Sequence, residues 1–197
     1  MWEARYSSSD DYLFGTEPVR LLTENPWLVI PGGAALSVAD GEGRNAVALA
    51  RAGMLVSSFD LSPTAVERAR ALASKAGVAL DTQVCDWADW DWARPFDLVL
   101  GVFIQFMPPE SRPGQFADLA LAVKPGGRLV LHGYTPEQVP LATGGPSNPA
   151  QMWTPQMLRD AFPGWRIERL ATYERDVQEG LGHSGRSALI DFVAIKP

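Results

Sequence analysis

The stretch ALSVADGEGRNA, residues 35–46, sets the reading of the whole chain. An apolar run, AALSVA (34–39), has strand character and enters two glycines spaced G-x-G, Gly41 and Gly43. A helical pattern, RNAVALARAG (44–53), follows and is closed by Gly53, where left-handed geometry is wanted. Strand, glycine turn and helix together let a ligand approach the backbone with no Cβ in the way.

The same alternation continues on both sides. MLVSSFD (54–60) reads as a second strand, and SPTAVERARALASKAG (62–77) as a helix with Ser62 as N-cap, Pro63 in its first turn and Gly77 as its stop. ALDTQVC (79–85) and FDLVLGVF (96–103) read as strands three and four. A helix is predicted within 110–123, then a turn KPGG (124–127) and a fifth strand RLVLHGY (128–134). This rhythm predicts an α/β, doubly wound, mostly parallel sheet with helices on both faces. The last third departs from it. Residues 133–151 are rich in Pro and Gly and show no periodicity, so the segment to 153 is expected as a loop on the substrate side. Thr154 caps a short helix at 154–162. Two extended runs, 164–177 and 186–196, are separated by QEGLGHSG, which is too short for a helix. They are predicted antiparallel, giving seven strands with an antiparallel C-terminal one.

Bulk properties narrow the function. A chain of 197 residues with 46% apolar and 20% charged content reads as one globular domain. The formal net charge of -6 argues against a nucleic-acid partner and weakly against an anionic membrane. No run reaches the ~18 apolar residues of a membrane span, and MWEARYSSSDDY has no signal-like apolar stretch. One cysteine, Cys85, excludes an internal disulfide framework, and a cytoplasmic setting is expected. Cys85 itself reads as a buried strand residue. The oligomeric state and metal ligation have no signal.

The loop acids Asp40 and Glu42 bear on the ligand. Read from Gly41, GEGRNA also satisfies the dinucleotide pattern G-x-G-x-x-A, and Asp60, about twenty residues on, is placed to take ribose hydroxyls. A pyrophosphate would sit beside two acids with no lysine in the loop. Like charges at ~4 Å cost about 1 kcal/mol in water and more in a cleft. A cationic, phosphate-free cofactor suits the acids better. Asp40 capping the next helix and Glu42 solvated remain open.

The ordered set resembles the class I S-adenosylmethionine-dependent methyltransferases over essentially the whole chain. In that family a second acid follows strand three, here Asp86 with Trp87 beside the base, K-P-G-G precedes strand five, and the sheet ends on an antiparallel strand. Within it the chain is most similar to small tellurite-resistance-type and thiopurine-methyltransferase-like proteins, through WEARY…YLFGTEP and EGLGHSG. The resemblance implies one methyltransferase domain over 1–197, with residues 1–26 covering the cofactor through Trp2, Tyr6, Tyr12 and Phe14. It implies S-adenosylmethionine bound by Trp2, Tyr12, Ala39, Asp40, Gly41, Gly43, Asn45, Asp60, Leu61, Ser62, Asp86, Trp87 and Phe103. Trp90 and Trp92 are assigned to packing. The usual loop reads acid-x-G-x-G-x-G; here Ser37 and Ala39 replace its acid and first glycine, and Asp40 could supply the carboxylate from three residues later.

Methyl transfer to a small-molecule acceptor is an in-line displacement, so the protein aligns a nucleophile and excludes water. A thiol or metalloid oxyanion needs little base, whereas a hydroxyl or ammonium needs one. The chain has two histidines. The hairpin spacer is predicted at the ligand edge, which makes His183 and Glu179, with Arg175, the substrate-side catalytic candidates. His132 is read as structural, and Gln105 and Phe103 as either substrate-facing or packed. A non-catalytic binding protein and a nicotinamide-dependent oxidoreductase are the competing functions.

Overall fold

The computed structural model describes residues 2–180 and 183–197. Its strands are β1 (Ala34–Val38), β2 (Leu55–Asp60), β3 (Asp81–Val84), β4 (Phe96–Val102), β5 (Val123–Tyr134), β6 (Arg166–Glu179) and β7 (His183–Ile195). They form one sheet in the order β3-β2-β1-β4-β5-β7-β6. Pairing is parallel for β1–β2, β2–β3 and β4–β5, and antiparallel for β5–β7. The predicted α/β sheet with an antiparallel C-terminal strand is therefore the observed one.

The helices are α1 (Trp2–Tyr6), α2 (Arg20–Glu24), α3 (Arg44–Arg51), α4 (Pro63–Ala76), α5 (Arg112–Ala122) and α6 (Pro155–Ala161). Their ends follow local chemistry. Ser62 accepts the Ala65 N–H at 3.1 Å and Thr154 accepts the Met157 N–H at 3.2 Å, so both predicted caps form. Gly77 closes α4 at φ 67°. β5 starts earlier than expected: KPGG lies within it, as an irregularity in the β4–β5 register between Phe96 and Leu98. The predicted loop 133–153 begins on the last two residues of β5 and contains two 3-10 turns, Pro136–Leu141 and Pro149–Gln151. α1 and α2 have five residues each, too short for a periodic signal.

Contacts divide the chain into two compact units, Met1–Asp91 with Glu179–Gly182, and Trp92–Gln178 with His183–Pro197. In the first, β1 is a buried apolar strand, and Leu28, Leu36, Val38, Leu49 and Phe59 are almost fully buried. In the second, Leu98, Leu100, Leu129, Leu131, Ile190 and Phe192 form the core, with Phe162 stacked on Phe192. Strand β7 is buried continuously from Ser187 to Ala194, whereas β6, at the sheet edge, is mostly half-exposed. Among the described residues no helix is long and apolar enough to cross a membrane.

Candidate active site

The glycine turn is held by acids that follow it. Asp60, the last residue of β2, accepts the Gly41 N–H on Oδ2 and the Ser62 N–H on Oδ1, each at 2.9 Å. A carboxylate has about four lone-pair sites, so both oxygens keep capacity to accept hydroxyls. Burial pushes the Asp60 carboxyl above its usual range, against the pull of these two backbone donors. Gly41 and Gly43 have φ of 60° and 88°. A Cβ on Gly41 would lie 2.6 Å from the Tyr6 hydroxyl, and one on Gly43 would lie 2.6 Å from the Ala69 Cβ. Both glycines are thus required by a left-handed backbone and by a close approach.

Ser37 and Ala39, the two departures from the usual loop, acquire defined roles. Ser37 Oγ donates to Asp40 Oδ1 at 2.6 Å, and Asp40 Oδ2 accepts a long 3.4 Å bond from the Ala46 N–H. Serine and acid form a pair, and the acid is a weak cap of α3. Burial pushes Asp40 up to about 7, partly offset by the Ser37 hydrogen bond. Ala39 has φ 45°, so it takes the left-handed conformation in which a Cβ costs roughly 1–2 kcal/mol.

Glu42 corrects an expectation. It is neither solvated nor turned to a ligand: it is buried, accepts the Leu13 N–H at 2.7 Å and pairs with Arg68 Nη1 at 2.7 Å. Arg68 also donates to the Asp11 carbonyl at 3.0 Å and to the Ser9 carbonyl. A second tether comes from Glu3, which accepts Thr64 Oγ1 at 2.6 Å and the Ser62 hydroxyl. The N-terminal segment is thereby fixed at both ends of α1's approach to α4. Trp2, Tyr6 and Phe14 have ring centroids 6.0–6.5 Å apart, and the Arg5 guanidinium lies 4.7 Å over Trp2. Burial, then Asp60, Glu42 and Asp40, hold the Tyr6 phenol neutral, far above its ordinary pKa.

Other predicted binding residues fall into two groups. Leu61, directly after Asp60, is 57% exposed, an apolar side chain open beside the acid. Asp86 is exposed and accepts the Ala88 N–H at 3.3 Å. By contrast, Asn45 is buried with Oδ1 on the Val19 N–H at 2.9 Å, and Tyr12 bonds the Arg68 carbonyl and packs with Val47, Leu72 and Ala73. Trp87 is buried edge-on to Phe59, and Trp90 stacks on Phe59 with centroids 4.6 Å apart. Cys85 is partly exposed rather than buried, just past β3, and burial with Asp89 and Asp86 raises its thiol pKa.

Glu179 is held in an ion pair: its Oε2 accepts Arg44 Nη2 at 2.6 Å, and Arg44 Nη1 reaches the Glu17 carbonyl at 3.3 Å. The pair ties the end of β6 to the start of α3. Gly180 packs on the backbone of Leu13, Phe14 and Gly15, where a Cβ would collide. In the second unit, the His183 ring lies 4.2 Å from Phe103 and 5.7 Å from Tyr134. Gln105 clamps the Tyr134 backbone, accepting its N–H and donating to its carbonyl at 2.7 Å each, so it packs. Arg175 lies over the Tyr173 ring. Sequence reasoning missed Glu3, Arg44, Arg68 and Asp191. Only Asp191 had a local signal, as the lone acid in the apolar run ALIDFVAI (188–195).

Of the acids about the turn, Glu42 is paired with Arg68, Asp40 is held by Ser37, the Ala46 N–H and the charge of Arg44, and Asp60 by the Gly41 and Ser62 N–H groups. Residues 35–127 match the family model of the methyltransferase domain. Three uncharacterized proteins of Mycobacterium tuberculosis and Mycobacterium bovis are 32% identical over 108 residues, 54% of this chain. The match spans only 39% of those relatives' length. Among solved structures, a protein studied for the conversion of a disulfide bond into a thioacetal group during echinomycin biosynthesis has a TM-score of 0.77. It is 23% identical, over 99% of this chain and 90% of that one. TehB from Haemophilus influenzae has a TM-score of 0.74 at 15% identity, over 100% and 67% of the two chains. Magnesium protoporphyrin IX methyltransferase from Synechocystis with bound SAH has a TM-score of 0.68 at 20% identity, over 91% and 80%. At these identities the likeness is one of fold, the Rossmann-like methyltransferase fold.

Proposed function

We propose that the protein is an S-adenosylmethionine-dependent methyltransferase acting on a small-molecule acceptor. The observation that carries this reading is the Asp60 carboxylate, held against the Gly41 N–H with oxygen lone pairs to accept ribose hydroxyls. The methyltransferase-domain match over the same segment supports it. Asp60 would take the ribose, Leu61 would lie on the adenine and Asp86 would meet its amino group. Asp40, ionised above about pH 7, would face the cationic methionine end through the turn. When bound, the cofactor supplies an electrophilic methyl group on sulfonium. The chain's own residues bind and orient it: Glu3 and Glu42 fix the N-terminal segment that would exclude water, and the Trp2, Tyr6 and Phe14 rings form its apolar lining. The fold likeness to TehB carries no acceptor with it, and the subgroup likeness rests on WEARY…YLFGTEP and EGLGHSG.

The nicotinamide reading is disfavoured by Asp40 in the turn, which would oppose a pyrophosphate when ionised; Asp60 suits the ribose of either cofactor. Calorimetry with S-adenosylmethionine, S-adenosylhomocysteine and NADH tests this. Binding of the first two and not the third is expected; heat from NADH alone overturns the reading. A methylated product, detected by mass spectrometry from any member of a thiol, phenol, amine and tellurite panel, separates an enzyme from a binding protein.

A further inference from the structure

The Tyr6 hydroxyl makes no hydrogen bond among the described residues. Tyr6 ends α1 and is 5% exposed. Its ring packs with Trp2 at 6.0 Å and edge-on to Phe14 at 6.3 Å. Its Oη lies on the glycine turn, 2.6 Å from where a Cβ on Gly41 would be. Apolar contacts therefore set the ring, and the hydroxyl adds an unmet donor that a phenylalanine would not carry. The oxygen is not one of the first unit's fully sealed, unpartnered polar atoms, which are Ser58 Oγ and Trp90 Nε1, so it stays open to a ligand on the turn.

The surroundings of this hydroxyl select the ligand atom. Burial, then the charges of Asp60, Glu42 and Asp40, raise the phenol far above its ordinary pKa, against the pull of Arg5. The phenol thus keeps its proton and stands as a donor. Asp60, the acid that acts on it most, is held at the same glycine by the Gly41 N–H and has lone pairs to spare. The two groups do not bond to each other. α1 is fixed relative to this acid: Glu3 accepts Thr64 Oγ1 at 2.6 Å and the Ser62 hydroxyl, and the Ser62 N–H donates to Asp60 Oδ1 at 2.9 Å. All of these residues lie in the first compact unit. An unmet donor and an acceptor with spare lone pairs at one glycine call for a ligand atom that accepts and donates at once. A hydroxyl oxygen does both. An ammonium has no lone pair for the phenol, and a phosphate meets the Asp60 charge as a like charge.

We propose that Tyr6 is a specificity residue of the cofactor site: Tyr6 Oη donates a hydrogen bond to a ribose hydroxyl whose own proton is donated to Asp60. This rests on the methyltransferase reading above. The pair reads the sugar. A ribose satisfies both groups through one oxygen, whereas a deoxyribose lacking that oxygen leaves the Tyr6 donor unmet and removes one proton from Asp60. Tyr6 therefore acts through its hydroxyl toward the ligand, and through its ring alone in the free protein.

Calorimetric titration of the full chain and of Tyr6→Phe with S-adenosylhomocysteine, and with its 2′-deoxy and 3′-deoxy analogues, tests this. Tyr6→Phe should bind S-adenosylhomocysteine about 3–10-fold more weakly, the net worth of one hydrogen bond. With the analogue that lacks the contacted hydroxyl, wild type and variant should bind alike, while the other analogue keeps the difference. Without ligand, urea unfolding of Tyr6→Phe should show no loss of stability, since the hydroxyl has no partner to lose. Equal or tighter binding of S-adenosylhomocysteine by Tyr6→Phe overturns the proposal, and tighter binding would make Tyr6 a plug on the turn instead. A penalty that persists with both analogues, or a free variant less stable than wild type, overturns it too. No binding of any of the three ligands to wild type refutes the cofactor reading and this proposal with it, whereas equal affinities in the two proteins refute this proposal alone.

Discussion

Replacing Asp40 with asparagine tests the loop's electrostatics. Asparagine keeps one oxygen, which can accept the Ala46 N–H while its amide N–H donates to the Ser37 hydroxyl, so the main loss is the charge. In the folded protein the Asp40 carboxyl titrates at about 7, against 3.8 ordinarily. Below pH ~4 both states are protonated and the group is silent. Between about 4 and 7 the unfolded chain ionises first, so wild-type stability falls as pH rises. Above 7 both are ionised and the deficit is constant. At ~1.36 kcal/mol per pH unit the interval sets a ceiling of about 4 kcal/mol, which solvent reaching this partly exposed side chain cuts to about 2. Urea unfolding at pH 4 and pH 8 measures it. Asp40→Asn should gain about 2 kcal/mol over wild type on going from pH 4 to pH 8. At pH 8 the same variant should bind S-adenosylmethionine more weakly, having lost a negative charge. A stability difference that does not change with pH refutes the reasoning.

Two further substitutions probe separate parts of the site. Ala39→Gly relieves a left-handed alanine and is expected to stabilise the fold by about 1 kcal/mol in urea unfolding, less the added backbone freedom of glycine. Arg44→Ala removes the guanidinium that pairs with Glu179, whose side chain is 14% exposed, and is expected to cost about 3 kcal/mol, with Glu179→Gln costing less because it removes the charge itself. Equal losses in the two variants, by thermal or urea unfolding, would contradict the anchoring role of Glu179.

Local signals carried most of the fold. Ser62, Gly77 and Thr154 are caps whose chemistry acts within four residues, and they appear where the sequence puts them. The hairpin followed from an eight-residue spacer. The site was legible where its groups lie at strand ends, as with Asp60 and the glycine turn, and not where a pairing is long-range. Glu42 reads as a free acid because its partner Arg68 is 26 residues away, on α4. Glu179 reads as a candidate base because Arg44 is 135 residues earlier. His132 meets Asp191 only through the β5–β7 register, which a single sequence does not specify.

The central claim is that the glycine turn and Asp60 together bind an adenosyl cofactor. Titration of wild type and Asp60→Asn with S-adenosylhomocysteine tests it most directly. Asparagine can still accept from one of the two backbone donors, so unfolding is checked by circular dichroism in the same samples. The account predicts binding to the wild type and at least ~10-fold weaker binding to the folded variant, the loss of one charge-assisted hydrogen bond. No heat with wild type, or equal affinity in the two proteins, would contradict it.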